Sequence, residues 1–245
     1  MKNCALSLLV LGGTTLIAPT ALAGDVSVST SIDYVTDYVF RGVSLADSAV
    51  QPGVELATGD FYIGAWASTG VGNTSVFAGD EIDLYAGYGV ALSDSVSADL
   101  GVTYYHYPQG GGLFETDGGA AGTYEVYAGL AFDAPLSPSV YGYYDFTLEA
   151  FTVEGSVGHS VPMGPKTSLD LGLAAGLVDG DGFGWEYGQA SAAVGYSFTD
   201  DVSAYVGANF ALNSDDLLNY EEFFTGDLIA QDSLFFFGAG VAAGF

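Results

Sequence analysis

Thirty acidic residues against three basic ones make carboxylates the first candidates for chemistry in this 245-residue chain. Nine of them, Asp33, Asp37, Glu55, Asp83, Asp99, Glu125, Asp145, Glu154 and Asp170, recur at alternate positions of extended apolar runs. Arg41 is the one base in such a position, and Lys166 falls in a turn-forming stretch. Tyr62, Trp66, Tyr85, Tyr127, Tyr141, Tyr143 and Tyr205 alternate in the same phase as the acids. A surface of carboxylates concentrates cations and repels anions. Rings beside carboxylates suit an organic cation, by charge together with cation–π attraction. The same tyrosines also serve to fill space and bond neighbouring carboxylates, so both readings stay open. Arg41 is expected to be bridged by Asp37 or Asp33.

Other chemistries find less support. Histidine occurs twice, and His159-Ser160 invites a hydrolase reading. His159 falls beside one turn, however, and His106 ends a strand at the opposite rim. The two do not pair and no triad assembles, so no catalytic residue and no enzyme are expected. The loop Asp179-Gly180-Asp181-Gly182-Phe183-Gly184 is faintly like a calcium loop. Phe183 stands where a further oxygen ligand belongs, and no distant glutamate follows in register. Neither a metal site nor a cofactor is expected. The loop acids Glu115, Asp117, Asp179, Asp181, Asp215, Asp216, Glu221 and Glu222 suit weak bridging through divalent ions to lipopolysaccharide phosphates.

The elements that hold these side chains are strands. Every second residue from Val26 to Phe40 reads Val, Val, Thr, Ile, Tyr, Thr, Tyr, Phe, interleaved with serines, Asp33 and Asp37. Successive side chains of a strand point to opposite faces, so one face is apolar and the other small or acidic. The pattern returns over 50–58, 61–69, 81–92, 96–105, 124–132, 140–148, 151–157, 169–177, 190–198, 202–210 and 235–245. That makes about twelve strands, and their apolar faces carry no charged residue. Connections alternate between short turns at Gly59, Ser93, Asp133, Pro162 and Thr199 and mostly longer ones, including acidic loops over Val178–Tyr187 and Leu212–Asp232. An even strand count, alternating loop lengths and an uncharged outer face predict an all-β, transmembrane, antiparallel up-and-down barrel. Tyr38, Phe40, Tyr104, Phe198 and Phe245 are then expected in the aromatic girdles at the membrane interfaces.

Residues 1–23 combine Lys2, an apolar run from Ala5 to Ile17 and the ending Ala21-Leu22-Ala23, which describes a secretory signal peptide. Its removal leaves residues 24–245 as one barrel domain, with two bases against 30 acids and a net charge of −28. The single cysteine, Cys4, leaves with the peptide, which excludes disulfide and thiol chemistry. A chain so acidic and without a basic patch is a poor partner for nucleic acid.

The segments Ser31-Ile-Asp-Tyr-Val-Thr-Asp-Tyr-Val-Phe-Arg-Gly-Val-Ser44, Gln51-Pro-Gly-Val-Glu55 and Gly59-Asp-Phe-Tyr-Ile-Gly-Ala-Trp66 resemble the opening of the proteobacterial Gcw_chp family, also called TorF-type porins. The resemblance implies an outer-membrane barrel with a pore role and carries no catalytic residues. The terminal Phe245 likewise resembles the end signal read by the barrel-insertion machinery. The expectation is a passive outer-membrane channel for small solutes, cation-preferring through an acidic, tyrosine-rich lumen. The alternative is a closed structural or adhesive barrel with acidic loops. N-terminal sequencing of the protein from outer membranes should begin at Gly24; a chain still starting at Met1 would refute the cleavage.

Overall fold

The computed structural model describes residues 26–71, 80–116, 120–221 and 228–245; the expected signal peptide, Asp117 and Glu222 lie outside them. Strand formation follows the alternating pattern. The wall strands are β1 (Val26–Val35), β4 (Ala49–Thr58), β5 (Phe61–Gly70), β6 (Glu81–Ala91), β7 (Val96–His106), β8 (Gly122–Phe132), β9 (Ser139–Asp145), β10 (Ala150–Pro162), β11 (Thr167–Gly180), β12 (Phe183–Ser197), β13 (Val202–Asn213) and β16 (Ser233–Gly244). Among the described residues these twelve close an antiparallel barrel in which each strand pairs with its neighbours and β1 pairs with β16. Two short hairpins stand apart from the wall, β2 (Tyr38–Phe40) with β3 (Val43–Ala46), and β14 (Leu218–Glu221) with β15 (Leu228–Gln231).

Neighbouring positions separate by face. Leu100 is 57% exposed on the outside while Asp99 beside it is 1% exposed. Ile32, Leu56, Ile63, Leu130, Leu173, Val206 and Phe235 share the outer face and are all exposed. So much apolar surface facing outward from a closed barrel fits hydrocarbon rather than water. The chain crosses a membrane with strands whose backbone groups pair from neighbour to neighbour around the closed wall.

One rim carries both ends of the barrel and the short connections 59–60, 92–95, 133–138, 163–166 and 198–201. At the other rim the connections are 36–48, 71–80, 107–121, 146–149, 181–182 and 214–232. The stretch Val178–Tyr187, expected as a loop, is mostly strand. β11 and β12 continue to a two-residue Asp181-Gly182 turn, with Asp179 opposite Gly184 and Leu177 opposite Glu186. Fourteen residues of β11 exceed the roughly ten needed to cross a bilayer, so the ribbon rises beyond the apolar belt. Ladder bonds need only a neighbouring strand, whereas composition reports the solvent, and the acids and glycines there marked exposure to water.

The larger departure is at the first connection. The opening run leaves the wall after Thr36, whose backbone N–H still donates to Phe237 O. Residues 38–46 then fold into the lumen as the β2–β3 hairpin, so Tyr38 and Phe40 are not lipid-facing girdle residues. Tyr38 is buried with Val35, Ala46 and Ala49, against Phe40, Leu45 and Trp66. Val39 joins Ala211, Leu218, Leu234 and Phe236 on the other side. Tyr104, also expected in the girdle, has outward phase but is covered by the following connection, where Phe114 N–H donates to its hydroxyl at 2.7 Å. Phe198 and Phe245 are exposed as expected.

Arg41 and Gly42 form the hairpin turn with φ of 48° and 78°, the pairing of positive angles that matches strand twist in two-residue hairpins. An added Cβ on Gly42 would lie 2.5 Å from Tyr187 Cβ, besides straining the backbone. Gly42→Ala is therefore expected to weaken docking of the hairpin by at least about 1 kcal/mol. Tryptic cleavage after Arg41 should become several-fold faster in folded barrels, and an unchanged cleavage rate would contradict the tight fit.

Candidate functional site

The hairpin tip delivers Arg41 to the far wall. Its guanidinium donates from Nη1 to Glu125 Oε2 at 2.6 Å and from Nη2 to Oε1 at 2.9 Å. This fork-to-fork pairing is the strong form of a charge-assisted bond. It is the single ion pair among the described residues, with side-chain exposures of 12% and 4%. Neither Asp37 nor Asp33 bridges Arg41, contrary to expectation, because the chain turns inward between them and the arginine. Tyr105 Oη donates to Glu125 Oε1 at 3.0 Å, and the Tyr143 ring lies 4.1 Å from Arg41 Cζ. Phe40, on the hairpin itself, gives a second ring face at 4.7 Å. On the opposite side Trp185 Nε1 donates to Arg41 O at 2.8 Å and Asn213 Nδ2 to Gly42 O at 2.9 Å. Ser44 ties the hairpin to β14, its N–H donating to Leu217 O and its Oγ accepting from Asn219 N–H. The hairpin thus reaches β8 and β9 on one side and β12 and β13 on the other, crossing the lumen.

The remaining predicted acids divide by partner. Asp99 accepts from Tyr62 at 2.8 Å and Tyr141 at 3.3 Å, and Tyr62 and Tyr127 hydroxyls meet at 2.5 Å. Glu55 accepts from Tyr85 at 3.2 Å and Glu154 from Tyr187 at 2.7 Å. Asp83 lies beside Glu81, which also bonds Tyr38 of the hairpin. Asp170 accepts from Ser168 at 2.8 Å near the opposite end. Asp33 and Tyr205 both overlie Gly240. Asp145 Oδ1 instead caps the 146–149 turn, accepting from Thr147 and Leu148 N–H at 2.8 Å each, a structural role. Asp37 stands at the base of the hairpin rather than on a strand, bonded by Thr36 Oγ1 at 3.0 Å. Burial pushes its carboxyl up to about 7, with the Thr36 bond opposing and nearby Asp47 adding to the rise.

Sequence reading missed Glu81, Tyr105, Tyr187 and Trp185. Tyr105 continues the phase of Asp99 along β7 and was legible there; Tyr187 and Trp185 were hidden by the loop assignment. His106 is buried against Ala121 O at the hairpin-side rim, whereas His159 faces outward on β10 opposite Leu171, so they stay apart. Lys166 Nζ donates to Phe198 O at the opposite rim.

A pairing rule links the lumenal tyrosines to the wall. Tyr85 stands directly across from Gly64, Tyr62 from Gly87, Tyr127 from Gly101, Tyr141 from Gly129, Tyr187 from Gly176 and Tyr205 from Gly240. In each pair the phenol lies over the space a Cβ would fill on the glycine. The rings lie along the wall instead of standing into the lumen. They concentrate on the arc β4–β10 together with Glu55, Asp83, Asp99, Glu125 and Glu154. The arc β11–β12–β13–β16–β1 turns mainly glycine, alanine and serine inward, including Gly172, Ala174, Ser191 and Ser29. The lumen is therefore uneven, with most acids and rings on the β4–β10 arc, and Asp33, Asp170, Trp185, Tyr187 and Tyr205 set among small residues on the other.

Comparisons with known proteins agree with this architecture. The family model described as a bacterial protein of unknown function (Gcw_chp) matches residues 20–149, more than half of the chain. The chain belongs to the Gcw_chp family. No curated protein sequence matches this Gcw_chp chain. Among solved structures, the KdgM porin is similar at TM-score 0.55 and 10% identity, covering 89% of this chain and 99% of that one. A complex of the same porin with disordered oligogalacturonate gives 0.54 at 10% identity, over 89% and 99%. An outer membrane channel from Pseudomonas putida F1 gives 0.50 at 12% identity, over 92% and 97%. At these identities the likeness establishes the fold, that of outer-membrane barrels, and the uncharged outer belt agrees with residence in that membrane.

The tyrosine–glycine pairs make a test of the lumen wall. Gly64→Val should force Tyr85 off the wall and break its bond to Glu55, costing ~1–3 kcal/mol as overpacking does. Adding Tyr85→Ala should recover part of that loss, as contacting sites do not add. Urea unfolding of the refolded barrel reads both; strictly additive losses would deny the contact.

Proposed function

We propose that this Gcw_chp barrel is an outer-membrane channel for passive diffusion of small solutes, with a preference for cations. One observation carries the reading. Carboxylates face the lumen from β1, β4, β6, β7, β8, β10 and β11, while the one lumenal base, Arg41, is already paired with Glu125. A lumen of one sign focuses its field along the passage and admits counter-ions over co-ions. The tyrosine hydroxyls bonded to Asp99, Glu55 and Glu154 hold these carboxylates in place at the wall, leaving their charge to act on the passage.

The similar structure bound to oligogalacturonate holds a polyanion. This lumen opposes such a cargo, because a polyanion would meet acids along the β4–β10 arc and no unpaired base there. Passage is best placed beside the small arc, narrowed at the hairpin rim by β2–β3. Among the described residues Asp145 caps a turn and His106 and His159 lie apart, which supports a channel over an enzyme.

A second reading is a closed structural barrel. The hairpin favours it, because Val39 and Arg41 reach opposite walls and together reduce the open section. Single-channel recording in a planar bilayer with a tenfold KCl gradient separates the two. Discrete current steps with a reversal potential favouring K⁺ are expected, and the bias should weaken in Asp33→Asn/Asp83→Asn. Absent steps from folded, inserted protein would establish the closed barrel, and a Cl⁻ bias would reject the acidic selectivity.

A further inference from the structure

Arg41 is held in the manner of a ligand. Its planar cation has a bidentate carboxylate in front, an aromatic face beneath, and little exposure to water. Tyr105 fixes the orientation of the Glu125 carboxylate from the side. Glu154, bonded by Tyr187, stands within electrostatic reach of the same guanidinium. Glu125, Tyr105, Tyr143 and Glu154 all belong to the wall, on β8, β7, β9 and β10. Only the cation and the Phe40 ring come from the hairpin. The wall therefore keeps a complete receptor for a planar cation whether or not the hairpin is docked.

The tether of the occupant is also strained. Arg41 adopts φ of 48°, a region sparsely used by residues with a β-carbon and costing of order 1 kcal/mol. When the tip withdraws, Glu125 loses its partner but stays on the wall, oriented by Tyr105. A carboxylate left in that way among other acids attracts another cation. The guanidinium shape adds selectivity, because two parallel N–H donors match both carboxylate oxygens and a planar ion stacks on Tyr143.

We infer that Glu125, Tyr105 and Tyr143 form a binding subsite for guanidinium-bearing solutes, and that Arg41 is its built-in occupant, exchanging with such a solute. The inference deepens the cation-channel reading by naming a solute class, and the subsite stands on the wall geometry even in a barrel that conducts nothing. Tethering gives Arg41 a high effective concentration, so free solute competes only weakly in the intact protein and binds openly once the arginine is removed.

The test is calorimetric titration of refolded barrel in detergent with methylguanidinium and with its neutral isostere, methylurea. Arg41→Gly, compatible with the turn angles, vacates the subsite, and Arg41→Asn does the same with a residue that tolerates the turn. Methylguanidinium should bind the vacated barrel at least about tenfold more tightly than methylurea, the discrimination expected for a charge-assisted pair. Adding Glu125→Gln should abolish the difference. Equal binding of the two probes, or preference surviving Glu125→Gln, overturns the assignment. If neither variant folds, as read by heat-dependent gel mobility, the unsubstituted protein still decides. Methylguanidinium at ~50 mM, above the effective concentration of a short tether, should speed deuterium exchange of the 38–46 amides, and methylurea should not. Identical exchange with both probes would refute the displacement. Because neither measurement depends on current, silent bilayer traces alongside selective binding would reject the channel and leave the subsite standing.

Discussion

Within hydrocarbon a peptide group has no water to bond, so the chain can cross only if the sheet has no edge. Closure between β1 and β16 meets that requirement, and it runs to the last residue, where Phe245 and Val28 exchange backbone bonds at 2.8 and 3.1 Å. Once the barrel is closed, alternation does the rest. Each strand must give lipid its apolar phase, and everything polar is driven to the other side. The crowding of carboxylates and phenols inside is thus partly a consequence of excluding charge from the outside. What is particular to this protein is how that interior is arranged.

The arrangement hinges on one base in an acidic lumen. A cation placed among Glu125, Glu154 and their tyrosines has no rival among the described residues for the same position, so the direction of the β2–β3 hairpin is well determined. Apolar contacts on both faces, Val39 toward β13 and β16 and Tyr38 toward Trp66, steady the hairpin but do not specify its tip. Electrostatics supplies that specification. The hairpin spans the lumen from Glu125 on one wall to Trp185 and Asn213 on the other, so the insertion narrows the barrel from both sides.

Strand number, antiparallel order and the two faces were legible in the sequence because period-two alternation is imposed directly by lipid. The inward phase of Asp33, Glu55, Asp99, Glu125, Tyr62 and Tyr141 was readable for the same reason. The hairpin was not, because Tyr38 and Phe40 keep the alternation going after the chain has left the wall, and a core inside the lumen favours the same residues as lipid does. Its one local signal was Arg41-Gly42, a turn-forming pair lying within what read as strand. The tall β11–β12 ribbon was misread for the opposite reason, since acids and glycines describe the solvent around a segment better than its pairing. The partner of Arg41 lies 84 positions away, a distance over which no local pattern speaks.

The cross-strand tyrosine–glycine pairs carry a consequence for how such a barrel changes over generations. A phenol that rests on its partner's missing Cβ gives the wall nearly constant thickness, so bore is set by strand number and tilt more than by rotamers. Either member replaced alone leaves a gap or a clash, whereas exchange of the two places, glycine for tyrosine and tyrosine for glycine, preserves the volume. Variation at Gly64 and Tyr85, or at Gly129 and Tyr141, is therefore expected to travel in couples, and the pair rather than the residue is the unit in which this lumen can be remodelled.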